Sequence, residues 1–417
     1  MLKSVLDLNN KSSIVILGLM ITLMASSIKG LYQVYFVDLL DIYQMSRAQL
    51  SLLGAIFGLF VGIFSPITGY ICDKYGPLKT ILSGIVVAIV LFGLISINQS
   101  QYILFLSLGV LAAYAITAMT FIPFAILVDS IFKDENKGMA FAILSNGTAI
   151  GFIVLSPLWV YFSTFLSWQY SNFIVFLLFL IVILPCGLLL NKKVIIPAKK
   201  KESLQSKPKV LKELTSFNFL FLTLSFGGCG MAMAFIDVHL LPLIKENKTF
   251  FLFDSNTTLI ATALSTLGIA EIIGSIFIAI IIRYANLYLT LAALYLVRCL
   301  LFIYISIFNT DLSFLAFAFI FGLTYMGTVI ISSLLCLKWY GAQIKGQIFG
   351  YLFLFHQIFV FISVWSGGII YDFNNNYTLY LLMLSLISLT SIFASLFLFF
   401  KHYTNKPLIL KEIINDS

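Results

Sequence analysis

Charged side chains are what this sequence has least of. Only 10% of its 417 residues are Asp, Glu, Lys or Arg, whereas a soluble domain carries about 25%. Hydrophobic residues make up 61% of the chain, and the mean hydropathy is +1.05. This balance excludes an ordinary soluble domain and indicates an integral membrane protein.

The side chains that carry covalent and metal chemistry are also few and scattered. The five cysteines have no paired spacing, so we interpret them as small core residues rather than as disulfides or metal ligands. The three histidines, His239, His356 and His402, lie far apart in the sequence. No glycine-rich phosphate loop ending in Gly-Lys-Ser/Thr occurs, which argues against ATP as the energy source. We therefore predict no enzyme activity, no cofactor and no metal site.

Long apolar runs, in contrast, are abundant. A membrane-spanning helix needs roughly 20 apolar residues, and these runs are too long for barrel strands. The first run lacks a small-residue cleavage site, so it is predicted as a span and not as a signal peptide. Twelve spans are predicted and numbered in chain order: about 14–36, 49–71, 79–98, 102–128, 138–163, 171–191, 217–244, 257–282, 287–308, 312–337, 346–370 and 377–400.

Lysine and arginine predict the orientation of these spans. With the N-terminus on the inner side, 20 of the 25 basic residues fall on that side, and three fall on the outer side. Because basic residues concentrate in cytoplasmic loops, we expect both termini in the cytoplasm of a bacterial-type inner or plasma membrane. The net charge of +8 then faces the inner leaflet. We expect anionic lipids as its partner, and no nucleic acid.

The stretch 192–215 is the one long polar segment, and it divides the spans into two sets of six. The predicted organisation is an N-terminal bundle over 1–191, a basic cytoplasmic linker over 192–216, a C-terminal bundle over 217–401 and a cytoplasmic tail over 402–417. Short internal echoes, such as 50–54 with 264–268, favour related halves. Two parallel six-span halves are a known transporter plan.

The turn between spans 2 and 3 carries the most specific motif of the chain. Its five motif residues are Gly69, Asp73, Lys74, Gly76 and Lys79. They match the pattern Gly-x-x-x-Asp-Arg/Lys-x-Gly-x-x-Lys/Arg, and with twelve spans the chain resembles the major facilitator superfamily. This resemblance implies an all-α fold of two pseudo-symmetric six-helix bundles and transport by alternating access.

Pro77, which follows Gly76, makes the turn similar to that of the monocarboxylate-porter and oxalate:formate-antiporter branch. Further stretches that resemble this branch are 46–51, 147–151 with 156–158, 239–242 and 367–372. The resemblance implies a small organic anion as the substrate.

The chemistry of the turn predicts a latch for one conformation. Asp73 can accept hydrogen bonds from amides at the N-terminus of a neighbouring helix. Lys74 and Lys79 can pair with acids or lipid phosphates, and Gly69 and Gly76 allow close approach and a tight turn. The alternative is an ordinary basic cytoplasmic turn.

Five ionisable residues fall within predicted spans: Lys29, Asp237, His239, Glu271 and Arg298. Such residues are candidates for function because they are costly in lipid. Lys29 has no acid one turn away, so it either pairs across the bundle or faces a cavity. It resembles a functional lysine of the branch. Asp237 and His239 follow three glycines, for which we predict a bend, and a histidine there could gate an outer opening.

Glu271 and Arg298 depart from the pattern of the branch. The eukaryotic porters carry Asp-x-x-x-Arg in span 8, which Glu271 resembles at its acid, whereas Ser275 replaces the arginine. Arg298 in span 9 is the candidate replacement. Its guanidinium can hold a substrate carboxylate in a fork, or it can close a buried pair with Glu271.

The function predicted from the sequence is a secondary carrier of a small, monocarboxylate-like organic anion, driven by protons or by exchange. Lys29 and Arg298 would attract the anion, and Glu271, with Asp237 and His239, would carry the proton. We expect a monomer. The alternatives are a carrier of amino acids, carboxylate siderophores or drugs, and more remotely a non-transporting sensor or a membrane enzyme.

Overall fold

The computed structural model describes residues 11–132, 134–193, 207–246 and 252–404. Within these ranges, 12 helices are long and apolar enough to cross a membrane, which confirms the predicted fold class. Spans 1 to 6 are Ser12–Tyr43, Arg47–Tyr75, Pro77–Ile97, Gln101–Ile131, Ala140–Phe162 and Trp168–Asn191. Spans 7 to 12 are Phe217–Lys245, Asn256–Ile281, Leu287–Ile307, Asp311–Gly341, Ile344–Asn374 and Thr378–His402. A short linker helix, Lys207–Leu214, precedes span 7.

Span 2 has clear local signals at both of its ends. At its start, the Ser46 hydroxyl accepts from the Gln49 amide, and the Gln49 side chain accepts from the Ser46 amide, which forms a capping box. At its end, Gly76 takes a φ of +90°, which a residue with a Cβ rarely adopts. Pro77 then occupies the first turn of span 3. The motif turn is therefore as tight as its glycine and proline predict.

Span 1 is longer than predicted, and an acid in its additional turns is paired. It continues to Tyr43 and ends at Gln44, which has a φ of 51°. The added turns carry Asp38, whose carboxylate lies 3.4 Å from Lys245 Nζ at the end of span 7. An acid paired at a helix end is tolerated where an unpaired acid in the apolar interior is not.

Two ends of the bundle are distinguished below. The linker side bears the linker helix Lys207–Leu214 and the Gly76 turn, and the far side bears Ser46 and the turn at Asn375.

Small residues allow the two halves to pack closely. Span 2 meets span 11, and a Cβ at Gly58 would lie 2.9 Å from Val360 Cγ1. Span 8 meets span 5, where the Ser265 hydroxyl donates to the Ile153 carbonyl at 3.1 Å. Toward the linker side, a Cβ at Gly350 would meet nothing within 4 Å. The halves are thus closed near the far side and separated near the linker side.

Span 7 is irregular, but not at the predicted place. Its helix is regular through Gly227, Gly228 and Gly230, within Phe217–Ala234. These glycines serve close packing, since a Cβ at Gly227 would lie 2.6 Å from the Phe359 ring. The irregularity is a π-helical turn, Phe235–His239, directly after them. Such turns are frequent at functional sites.

Close backbone packing within the C-terminal half generates a stability prediction. A Cβ at Gly274 in span 8 would overlap the Leu323 carbonyl of span 10. We expect Gly274→Ala to destabilise the protein by about 1–3 kcal/mol through overpacking. The matched control is Gly350→Ala, where the space is open and alanine is favoured in a helix by up to ~1 kcal/mol. Thermal unfolding of the purified variants in detergent measures both changes. An equal melting temperature for the two variants would contradict the close contact.

Candidate functional site

A cavity of about 1090 Å³ lies between the two halves. Spans 1, 2 and 4 line it from the N-terminal half, and spans 7, 10 and 11 line it from the C-terminal half. It extends from Lys29 and Asp237 to Gly346 and Tyr351, and Val210 of the linker helix completes the wall. Its opening therefore faces the linker side, where spans 2 and 11 diverge. Most of the wall is apolar, as is typical of sites for organic ligands.

An ion pair between the halves lies toward the closed end of this cavity. Lys29 Nζ of span 1 is 2.8 Å from Asp237 Oδ2 of span 7. The side chains are 32% and 23% exposed, so both remain accessible from the cavity. A second contact supports the pair, because the Gln33 amide donates to the Ile236 carbonyl at 2.7 Å. Lys29 thus fulfils both alternatives from the sequence: it pairs across the bundle, and it lines the cavity.

The π-helical turn explains the position of Asp237. The turn begins after the packed glycine face of span 7 and brings Asp237 to the cavity wall, while His239 stays buried two residues later. Each charge of the pair lowers the cost of holding the other in an apolar bundle. Within the described wall, Lys29 is the one cationic side chain and Asp237 is the one carboxylate.

Glu271 is a third charged candidate, and it lies near this pair without contacting it. Its side chain is half-buried on span 8. Within the described part of the chain it makes no ion pair or hydrogen bond, but the charges of Asp237 and Lys29 act on it. Tyr325 of the cavity wall lies within the same electrostatic range of Asp237 and Glu271. Two acids and one lysine therefore share this region of the bundle.

Arg298 lies outside the cavity wall. It is fully buried, and its Nη2 donates to the Thr324 carbonyl at 2.9 Å and to the Tyr325 carbonyl at 3.2 Å. Its Nε donates to the Thr324 hydroxyl at 3.1 Å. The first helix of span 10 ends at Tyr325, so the guanidinium pairs carbonyls at this helix end. Among the described residues, no carboxylate lies within ion-pair distance of it, and the structure does not bring it to Glu271.

His239 is buried beneath the far side. Its Nε2 lies 2.9 Å from the Val364 carbonyl, and its Nδ1 lies 3.3 Å from the Tyr377 hydroxyl. Because a carbonyl only accepts, Nε2 must carry a proton. His239 therefore contacts Tyr377 on the far side and does not line the cavity.

The contacts that hold the far side closed are built around Arg47. Its guanidinium lies 2.6 Å from Glu246 Oε1, donates to the Tyr377 hydroxyl at 2.9 Å and stands 3.5 Å from the centre of the Tyr371 ring. These partners come from the C-terminal half, whereas Arg47 begins span 2. The contacts combine an ion pair with a cation–π interaction and hold the halves together.

Asp372 adds a helix cap to this closure. Its carboxylate accepts from the Arg47 amide at 3.1 Å and from the Ala48 amide at 2.9 Å. An acid at a helix N-terminus satisfies free amides and is favoured by the helix dipole. We call Arg47, Glu246, Tyr371, Asp372 and Tyr377 the far-side latch.

The motif turn on the linker side makes no comparable contacts. Asp73, Lys74 and Lys79 are exposed and form no ion pair within the described residues. Lys74 Nζ stands 5.1 Å from the centre of the Tyr75 ring, and a Cβ at Gly69 would meet nothing within 4 Å. The predicted latch is not engaged in this conformation and stays a prediction.

Two elements of the site were missed in the sequence, although each leaves a signal there. Gly54, Gly58 and Gly62 recur every four residues, the spacing of a close helix contact. The far-side latch has a Gly-x-x-x-Asp sequence over 368–372, which repeats the Gly-x-x-x-Asp of the motif turn over 69–73.

Comparisons with known proteins bear on the family of this chain. The Major Facilitator Superfamily profile matches residues 15–364. An uncharacterized MFS-type transporter, YcxA of Bacillus subtilis, is 25% identical over 374 residues, which cover 85% of this chain and 86% of YcxA. The MFS-type transporter AFUA_1G00970 of Aspergillus fumigatus is 26% identical over 127 residues, which cover 30% of this chain and 29% of that protein.

A solved structure is similar in fold. It is a bacterial homolog of the human lysosomal transporter Spinster, in an inward-facing and occupied conformation. The TM-score is 0.71 at 13% identity, and the match covers 94% of this chain and 97% of that chain. With the profile match over most of its length, the twelve spans and the cavity between two halves, this chain belongs to the major facilitator superfamily of membrane transporters.

Proposed function

We propose that this transporter moves a small carboxylate-bearing organic anion together with a proton. The observation that carries the proposal is the Lys29–Asp237 ion pair, which joins the two halves at the wall of the cavity. The resemblance to the monocarboxylate branch, stated from the motif turn, is consistent with this cargo.

The proton and the anion would bind as linked events. A proton on Asp237 removes the negative charge that holds Lys29, and the ammonium group is then available to a substrate carboxylate. The loaded site is neutral overall, which lowers the cost of carrying it through the apolar bundle. Glu271, within electrostatic range of the pair, would pass or hold the proton. Arg298 has a structural part in this proposal, since its Nε and Nη2 donate at the end of a helix of span 10.

The same pair would couple binding to the movement of the halves. Loss of the Lys29–Asp237 attraction loosens spans 1 and 7, so the loaded carrier can change conformation. If the linker side is cytoplasmic, as the lysine count predicts, the conformation described here faces inward. The far-side latch would then open as the motif turn, with Gly69, Asp73, Lys74, Gly76 and Lys79, closes the linker side.

A zwitterion is the second candidate cargo. Among the described residues, the cavity wall offers one cation and one carboxylate, which lie 2.8 Å apart. An amino acid could therefore insert its carboxylate at Lys29 and its ammonium group at Asp237 without any proton. Uptake that is insensitive to a pH gradient would favour this candidate.

Replacement of Lys29 tests the anion site. In proteoliposomes with an imposed pH gradient, we expect Lys29→Ala to lower the uptake of a transported monocarboxylate at least tenfold, because no other cation lines the described wall. Asp237→Asn should keep binding but lose the acceleration by the gradient. Uptake of labelled monocarboxylates, dicarboxylates and amino acids is measured as a panel.

Lys245→Ala is the matched control for this experiment. Lys245 also joins spans 7 and 1, through Asp38 at 3.4 Å, but it lies outside the cavity wall. We expect it to retain most of the uptake. If Lys29→Ala transports carboxylates as well as Lys245→Ala does, the proposed anion site is wrong. If only neutral or cationic solutes are taken up, the anion cargo is wrong.

Asp372 of the far-side latch and Asp73 of the motif turn generate opposite predictions. Asp372→Asn weakens the far-side cap by about 1 kcal/mol, so we expect about a fivefold shift away from the conformation described here. Asp73→Asn should shift the population toward it, because it weakens a latch of the opposite conformation.

Labelling of a Gly346→Cys background by a membrane-impermeant thiol reagent reports this shift, since Gly346 lies in the cavity wall with open space around it. The labelling rate should fall in Asp372→Asn and rise in Asp73→Asn. The parent protein is the control because its described cysteines, all five, are buried. Changes in the same direction for both variants would contradict the two-latch proposal.

A further inference from the structure

His356 is a polar group in the cavity wall that the transport proposal does not use. It lies on span 11, lines the cavity and is 5% exposed. Its ring is held between two aromatic rings, with centroid distances of 4.5 Å to Phe226 and 5.7 Å to Phe353. The backbone of span 11 also packs on Gly230, where a Cβ would lie 2.7 Å from the His356 carbonyl. The position of the imidazole is therefore fixed by its neighbours.

Neither ring nitrogen of His356 has a hydrogen-bond partner among the described residues. An unpaired buried donor or acceptor costs about 1–3 kcal/mol, so a structural role in packing alone would favour an apolar ring here. The adjacent Gln357 also lines the cavity, and its amide makes no hydrogen bond within the described chain. Span 11 thus adds two polar side chains to the cavity wall, and the imidazole of His356 has no partner among the described residues.

These side chains form a second polar region, which lies on a different span from the ion pair but within electrostatic range of Lys29. Lys29 and Asp237 belong to spans 1 and 7, whereas His356 and Gln357 belong to span 11. The remaining wall is largely apolar, with side chains such as Phe57, Leu108 and Val329. A ligand that satisfies both polar regions must carry polar groups at two places and an apolar body between them.

The charged residues of the cavity wall indicate that the second polar group of the ligand is uncharged. Lys29 is the one described cation of the cavity, and the proposed carboxylate occupies it. A second carboxylate would have no cation to pair with. A neutral imidazole offers one donor and one acceptor, and the Gln357 amide offers both as well. Hydroxyl, carbonyl and amide groups match this set.

We propose that the cargo is a monocarboxylate whose apolar body carries a second, uncharged hydrogen-bonding group, and that His356 binds this group. The inference rests on the proposed function, because it takes the carboxylate at Lys29 as given. It deepens that function by naming the substrate class: hydroxy, keto or amide acids with an apolar chain, rather than plain fatty acids or dicarboxylates.

Binding of matched acids tests this substrate class. Calorimetry on the full chain in lipid nanodiscs compares hexanoate, omega-hydroxyhexanoate and adipate, with the butanoate and octanoate series alongside so that chain length is varied. We expect the hydroxy acid of the best length to bind about tenfold more tightly than the plain acid, the contribution of one hydrogen bond to a buried group. The dicarboxylate should bind more weakly than the hydroxy acid.

His356→Phe keeps the stacked ring but removes both polar atoms. We expect it to abolish the tenfold preference for the hydroxy acid, while hexanoate binds as tightly as before or more tightly. Phe353→Leu is the control, since it changes the apolar wall beside His356 and should weaken all acids without changing their ratio. Thermal unfolding checks that each variant is folded, and His356→Gln, which retains hydrogen bonding, should keep a measurable preference.

The outcomes separate this inference from the proposed function. If no carboxylate binds the wild-type protein, the anion site at Lys29 is wrong and this inference is overturned with it. If plain acids bind but hydroxylation adds nothing, or adipate binds most tightly, the substrate class is wrong and the anion site stands. If His356→Phe retains the preference for the hydroxy acid, His356 does not bind the second polar group of the cargo.

Discussion

The architecture depends on one electrostatic constraint: a lysine and an aspartate from opposite halves share an apolar bundle. Separated, Lys29 and Asp237 would each be a costly charge in the membrane interior. Together, at 2.8 Å, they connect span 1 to span 7 beside the cavity. A contact that is stable only while both groups are charged ties the packing of the halves to the chemistry of the site.

The remaining interfaces are arranged around this pair so that, in the conformation described here, the halves are separated at one end only. Near the far side, the glycines of span 2 pack against span 11, and Arg47 and Asp372 add charged contacts. Near the linker side, Gly346 and Gly350 face open space. Spans 2 and 11 are thus in close contact near the far side and apart near the linker side. This arrangement suits a rocking motion of two rigid halves.

The fold could be predicted from the sequence, whereas the contacts among the candidate site residues could not, and the reasons are physical. Span length and basic residues are local properties, so the twelve helices could be read directly. The partner of Lys29 is 208 residues away, and no local pattern chooses between Asp237 and Glu271. The exclusion of Arg298 from the cavity depends on where span 10 breaks. His356 was visible as a residue, but its two unpaired nitrogens arise only from its burial between aromatic rings.

The π-helical turn of span 7 has a consequence for how this chain can change through evolution. Such a turn accommodates one extra residue within a continuous helix. Because each helical residue turns by about 100°, deletion of a single residue within Phe235–His239 would rotate everything after it by about a quarter turn. Either Asp237 would leave the cavity or Leu240–Lys245 would lose its packing face. Insertions and deletions in this segment are therefore constrained more strictly than substitutions, although it lies in a helix and not in a loop.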